Sequence, residues 1–472
     1  MRKGTAMGTP YVAGCGVLLA LAALPAAAVE TDYALKADVA AVDETAGDFG
    51  RLGNGSSTQA YLDATPWAHF QFSPAWSGFV RVRLFAPTGT VQTAANDNNN
   101  LGPTNQAFFG LKEAWVDYAG FRYPGESIRL GRQRVREDDA MYVDQDVDAA
   151  RWMFNTTLVQ SELGVGREFS TYRTDDIGLP PDQKHRLYVF GNLGGEWRAY
   201  QRVGVRAMYV HDNYDLPQVG QGTNIGSKLT AGNLFWIGAY LNNHYFDGSS
   251  APPLAYNVSL NWLSGNQRTA LIDPTTRVVT DITDRRVSHA WAADLGLRYR
   301  LPVEKFPLQI GAAYVYSSGG SGTDLSTQYS QTGLQSNYSR FTGTDSLTQR
   351  FTDAYRAQLG NLKVATAYAS INLGRWNTSV IYNHFDRVHG DAPVYADNIT
   401  VEPVNTSGSL GNGYDVVVTR FFGKEVGHMD LLSGDEPQSS IRLRGSVFKP
   451  GAAYGPQARS EYRVTLELVL WR

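Results

Sequence analysis

The chain has 472 residues, a formal charge of −3 and a single cysteine, Cys15. A mildly acidic whole leaves no case for a nucleic-acid binder, and one cysteine cannot build a disulfide framework. Aromatic residues make up 12% and glycine is plentiful, yet no apolar run beyond the N-terminus approaches the ~20 residues of a membrane helix.

Residues 1–28 read as a secretory signal. Arg2 and Lys3 supply the positive start, Val17–Leu24 the apolar core and Pro25-Ala26-Ala27-Ala28 the cleavage site. Cys15 precedes the apolar core, so V-A-G-C at 12–15 is not expected to be a lipidation signal. Cleavage after Ala28 would remove Cys15 and move the formal charge from −3 to −5. Residues 29–472 would then form one domain.

Period-two alternation governs that domain. In Phe79–Phe85, Val80, Val82 and Leu84 oppose Arg81 and Arg83. In Tyr200–His211, Val203, Val205, Ala207 and Tyr209 oppose Arg202, Gly204 and Arg206. In Ala290–Leu301, Trp291, Ala293, Leu295, Leu297 and Tyr299 oppose Asp294, Gly296, Arg298 and Arg300. In Ile441–Val447, Ile441, Leu443 and Val447 oppose Arg442 and Arg444. One apolar and one charged face is the lipid-out, lumen-in pattern of a transmembrane barrel, although a solvated sheet could show the same alternation.

In chain order the spacing predicts strands near 33–41, 58–72, 77–86, 107–119 and 126–135. Region 151–171 exceeds one barrel strand of ~10 residues and splits near Val159–Ser161. Further strands are expected near 184–192, 198–211, 229–242, 254–264, 289–301 and 307–317. The last lie near 362–373, 376–387, 413–422, 440–448 and 462–471. The total is about eighteen, and bacterial barrels favour even numbers.

Connections alternate in length. Long ones are read at 42–57, 87–106, 136–150, 172–183, 212–228, 265–288, 318–361, 388–412 and 449–461. Short turns fall near 73–76, 120–125, 193–197, 302–306 and 374–375, while 243–253 and 424–439 are longer than that side allows. Long loops on one side and tight turns on the other is the layout of an outer-membrane barrel. Tyr118, Trp236, Tyr240, Trp262, Tyr299, Tyr316, Trp376 and Trp471 stand at strand ends, where interfacial girdles form. The fold expected is all-β: a single transmembrane antiparallel β-barrel of about 18 strands.

Catalytic spacings are absent: no G-x-S-x-G elbow, no H-E-x-x-H helix and no phosphate loop. No enzyme and no cofactor is expected. Asp144, Asp146 and Asp148 resemble part of a calcium loop but lack its fixed Gly and terminal Glu, and a polar outer loop accounts for them. The arginines are the main chemical signal. Arg81, Arg83, Arg202, Arg206, Arg298, Arg300, Arg442 and Arg444 share lumenal parity on separate strands. Low-dielectric walls focus their field, and the guanidinium fork matches a carboxylate. Some are expected to pair with Asp117, Asp294 or Glu467 instead. In 112–136 the pattern conflicts with itself, because Ile128 and Leu130 share parity with Arg132 and Arg134. Either a bulge at Gly131 resets it, or the upper arginines stand above the lipid.

Several long motifs carry a resemblance. They are W-V-D-Y-A-G and Y-P-G-E within 115–126, G-R-Q-R-V-R-E-D at 131–138 and F-S-T-Y-R-T-D at 169–175. Q-T-G-L-Q-S-N at 331–337, F-T-G-T at 341–344 and R-L-R-G-S-V-F-K-P-G-A-A-Y-G-P at 442–456 complete them. With them the chain resembles the alginate export family of Gram-negative outer-membrane barrels. The resemblance implies an eighteen-stranded monomeric barrel that passes alginate, or a related anionic polysaccharide, through an electropositive pore. It implies pore roles for Lys36, Lys112, Arg134, Asp175 and Arg442, plugs at 87–106 and 424–439, periplasmic export or biosynthesis partners, and outer-membrane lipid around the wall. Thr65, Tyr338, Asp345, Leu347 and Leu468 depart from the family's charged positions. The alternatives are a porin importing small anionic sugars or oligouronates, and a barrel enzyme or adhesin.

Overall fold

The computed structural model describes residues 29–89, 105–175, 178–179, 183–223, 228–273, 276, 278–303, 306–321, 324–422 and 439–472. The expected signal segment and almost all of the two expected plugs, 87–106 and 424–439, fall outside these residues.

The strands begin with β1 (Glu30–Glu44), β2 (Ser57–Ser73), β3 (Trp76–Pro87), β4 (Phe108–Ala119) and β5 (Glu126–Arg136). Next come β6 (Asp144–Asn155), β7 (Val159–Arg167), β8 (Arg186–Arg198), β9 (Gln201–Asp212) and β10 (Thr230–Asn242). Then follow β11 (Leu254–Ile272), β12 (Val279–Arg300), β13 (Leu308–Ser317), and two short strands, β14 (Tyr338–Ser339) and β15 (Thr348–Gln349). The chain finishes with β16 (Leu362–Leu373), β17 (Trp376–Arg387), β18 (Ser409–Phe421), β19 (Ser440–Pro450) and β20 (Glu461–Trp471). All but β14 and β15 form one 18-stranded antiparallel sheet. It closes where β1 pairs β20 from Lys36↔Trp471 to Glu44↔Arg463. Closure leaves no unpaired edge, the condition for a sheet in hydrocarbon.

The alternation read from the sequence is the wall itself. Val203, Val205, Leu295, Leu297 and Leu443 are exposed on the outside, whereas Arg81, Arg83, Arg206, Arg298, Arg442 and Arg444 are buried inside. Trp262, Tyr299 and Trp376 are also exposed outside, as a girdle requires. Trp236 and Tyr240 are corrections. Trp236 is 2% exposed and donates Nε1 to the Ser330 carbonyl at 2.8 Å inside the barrel. Tyr240 also turns inward, its ring occupying the space that a side chain on Gly194 or Gly204 would need.

Other boundaries move too. The loop expected at 136–150 shrinks to 137–143, because β6 begins at Asp144. The turn expected at 193–197 is strand, and the real turn lies at 199–200. β11 and β12 extend well past the ~10 residues that span a bilayer, so the loop expected at 265–288 is mostly a hairpin projecting on the long-loop side.

The largest surprise is the connection between β13 and β16. It folds into the barrel and supplies much of its interior. Phe341, Phe351 and Tyr355 are fully buried, and Tyr355 stacks on wall residue Phe448 at 4.0 Å. Its tip reaches the opposite mouth. The carbonyls of Phe341, Thr342 and Gly343 accept from Arg298 (2.7 Å), Ser370 (2.6 Å) and Gln309 (2.9 Å). The Asp345 carboxylate accepts from the Ser249 amide at 2.9 Å, in the short-side connector 243–253. The segment thus spans the depth of the lumen.

Candidate functional site

Four groups of lumenal charges stand out among the described residues, two placed by strand parity and two completed by segments that fold inward. The first joins β2, β3 and β4. Arg83 makes a two-point contact with Asp63 (3.0 and 2.7 Å), and Arg81 lies 3.5 Å from Glu113. Lys112 sits at the bulge of β4, where Arg81 pairs Glu113 but Val82 pairs Leu111.

The second group lines the seam. Glu467 accepts from Arg442 at 3.0 Å and lies 3.5 Å from Arg444, with both arginines almost completely buried. Lys36 lies on the same side, its ammonium 5.9 Å from the Trp471 ring. Glu467 takes the lumenal position, while neighbouring Leu468 alternates outward. Arg444 also donates to the Leu347 carbonyl at 2.7 Å, tying the seam to the inserted segment.

That segment brings charges of its own, and they form the third group. Arg350 pairs with Asp294 at 3.1 Å, and Arg356 with Asp353 at 3.0 Å. Burial alone would raise the Asp353 carboxyl. Arg356, Arg463 and Arg444, with the Tyr338 hydroxyl, outweigh burial and hold it at about 2. Arg298 and Arg300 bind carbonyls here rather than carboxylates: Phe341 for the first, Ser249 and Ala251 for the second.

The fourth group surrounds open space. A cavity of about 450 Å³ is lined by Arg134, Arg136, Arg151, Arg202 and Arg206, together with Glu137, Asp138, Asp139 and Glu162. Arg206 binds Glu137 and, at 2.9 Å, Asp139. Arg202 keeps a quarter of its side chain exposed and reaches Asp138 at 3.1 Å. Arg134, Arg202 and Arg206, which the sequence singled out, meet here. Arg136, from the arginine-rich stretch 112–136, also lines the cavity, as does Arg151, which the sequence did not single out. Arg151 was missed because β6 was read as starting there, which left its parity undefined.

Asp175 joins the edge of the first group, since its partner Arg173 packs on the Phe108 ring that Arg83 also faces. It lies after β7, locked to Arg173 through two contacts of 3.0 and 2.5 Å.

Arg134 reaches the cavity without a bulge. The β5–β6 ladder is continuous from Glu126↔Phe154 to Arg136↔Asp144. What ends is the pairing with β4, which stops at Ala114↔Arg132. Above that point residues 172–174 occupy the place beside β4, with Gly110 bridged to Arg173. Gly131, with φ of +124°, permits the departure. Both faces of the upper hairpin are then covered: Gln133 and Val147 are fully buried on one, Asp144 and Asp146 nearly so on the other.

This also corrects the placement of these acids in an outer loop. Asp144 and Asp146 are strand residues and not loop ligands. Asp144 accepts from Arg134 Nε at 3.0 Å and from Ser336 Oγ at 2.6 Å, with Arg136 at 3.7 Å. Guanidinium groups supply the positive charge that a cation would bring, and among the described residues no cluster is arranged to hold a metal.

Gly131→Ala tests the hairpin's departure. A Cβ there would lie 2.2 Å from the Ala114 carbonyl oxygen. Folding efficiency into lipid bilayers should drop, with about 1–3 kcal/mol or more of strain read from the urea midpoint.

The comparisons with known proteins agree with this architecture. The alginate export family profile matches residues 32–465. An alginate production protein, AlgE, of Pseudomonas aeruginosa is 33% identical, over 93% of this chain and 92% of its own. Its namesake in Pseudomonas syringae pv. tomato is 31% identical over 100% and 99%. Among solved structures, Pseudomonas aeruginosa OccK2 (OpdF) aligns with a TM-score of 0.51 at 10% identity, covering 94% of this chain and 97% of its own. OccK9 (OpdG) of the same organism aligns at 0.53 and 8%, covering 94% and 98%. At such identities these two show the barrel fold alone. The barrel resides in the bacterial outer membrane and is a pore, not an enzyme. The chain belongs to the alginate export family of outer-membrane β-barrels.

Proposed function

We propose that the barrel is an anion-selective pore through which alginate moves passively from periplasm to cell surface. The observation carrying this reading is the cavity where Arg134, Arg136, Arg151, Arg202 and Arg206 converge from β5, β6 and β9. Guanidinium groups beside water and low-dielectric walls concentrate anions. The acids among them keep each site weak. A polyuronate can then slide from one cation to the next, where one tight site would trap it. The relatives' name, alginate production protein, supports the choice of polymer. The reading includes a monomeric pore fed by periplasmic components.

Planar-bilayer recordings test it. The wild type should prefer anions, and Arg134→Ala combined with Arg202→Ala should lower the anion-to-cation permeability ratio. Cation preference, or an unchanged ratio in the double variant, would sink the reading.

A further inference from the structure

A second cavity, of about 560 Å³, lies at the long-loop end between the wall and the inserted segment. Its volume falls within the roughly 300–1,000 Å³ of small-ligand pockets. Its chemistry differs from that of the arginine cavity. Gln267, Gln328 and Gln335 present amides, Trp236 and Tyr395 present rings, Arg285 presents a guanidinium, and Glu168 and Asp212 add carboxylates on the wall.

Two features indicate a ligand. Gln328 is 6% exposed, and its amide oxygen has no hydrogen-bond partner. Its nitrogen reaches the Pro393 carbonyl only at 3.4 Å. A buried amide oxygen left unsatisfied costs free energy, so a donor is expected to reach it. Arg285 is the second feature. It donates to the Gln267 side chain across the β11–β12 ladder and its Nε has no partner, while the Asp324 carboxylate acts on it through space without a direct ion pair. Arg186, the other guanidinium on this wall, is already paired with Asp212 at 2.9 Å.

Amides bind hydroxyl groups in both donor and acceptor senses. Aromatic rings offer flat apolar faces to C–H-rich surfaces. One unpaired guanidinium among them accommodates one carboxylate. We propose that this vestibule is a saccharide subsite for a sugar acid, holding one carboxylate at Arg285 and hydroxyls at Gln328, Gln267 and Gln335. The assignment rests on the export reading only for the side from which the ligand arrives.

Calorimetry on the purified full-length barrel in detergent tests it, with trimannuronate as ligand and maltotriose as the neutral control. Trimannuronate should bind, Arg285→Gln and Gln328→Ala should each weaken it about tenfold, and maltotriose should bind far more weakly. Heat-modifiable migration on gels checks folding, and Gln267→Ala substitutes for any variant that fails to fold. No binding by the wild type overturns the proposal, as does affinity unmoved by these substitutions or equal binding of maltotriose. Binding lost in Arg134→Ala but kept in Arg285→Gln also overturns it, since the ligand would then occupy the arginine cavity. That last result would leave the export reading standing, whereas cation preference in bilayers would remove the export reading without touching the subsite.

Discussion

Replacing residues 340–347 with Asn-Gly should raise single-channel conductance about threefold, because it removes the part of the inserted segment that crosses the lumen. The replacement suits the backbone. β14 and β15 already pair as Tyr338↔Gln349 and Ser339↔Thr348, and Asn-Gly is the favoured two-residue link for such a hairpin. It spares Arg350, Asp353 and Arg356, so the ion pairs anchoring the segment's upper part remain. It does free Arg298, Gln309 and Arg444 from the carbonyls of Phe341, Gly343 and Leu347, and entering water takes over those bonds. An unchanged conductance in planar bilayers would mean that the current runs along another part of the lumen.

Glu467→Ala should cost about 3–5 kcal/mol of stability, the usual penalty for removing one partner of a buried ion pair. Glu467 and Arg442 are both fully buried, and Arg444 is 2% exposed. Alanine would leave two neighbouring guanidinium groups without their shared carboxylate. Glu467→Gln keeps an acceptor oxygen and should lose less. Urea-dependent folding into vesicles, followed by gel migration, separates the two variants. Equal stability for wild type and Glu467→Ala would show that water or another carboxylate neutralises this pair.

The wall was legible because lipid and lumen impose opposite chemistry on alternate residues. Phe79–Phe85 and Ile441–Val447 display that contrast without help from tertiary structure. It fails at the start of β6, where both faces are covered by protein. Asp144, Asp146 and Asp148 then alternate with Gln145 and Val147 in a way that does not separate lipid from water. The inserted segment was illegible for a related reason. A polar segment buried in a lumen has much of the composition of a loop in solvent, and its scattered apolar residues, among them Tyr329, Phe341, Phe351 and Tyr355, show no strand or helix period. Parity could place the arginines inside and name Glu467 among their partners, but not the pairings made with the inserted segment. Arg444 meets Leu347 and Arg350 meets Asp294 across long stretches of chain, and no local pattern encodes such pairings. Tyr240 was misplaced because strand ends suggest a girdle, whereas the space above Gly194 and Gly204 is what it fills.

The closing seam has a kinetic consequence. The Leu35 amide donates to the Arg472 carbonyl at 2.8 Å, and the Arg472 amide to the Leu35 carbonyl at 3.0 Å, so the ring is completed by residues from the two ends of the described chain. Loop-closure entropy makes such contacts late, and a topology rich in them folds slowly. Until β20 arrives, β1 and β19 each present a bare strand edge. The seam arginines tie the last strand to the segment already inside, because Arg444 holds both Glu467 and Leu347. Filling the lumen and closing the ring are therefore coupled events, and a chain that misses the first will be slow to reach the second.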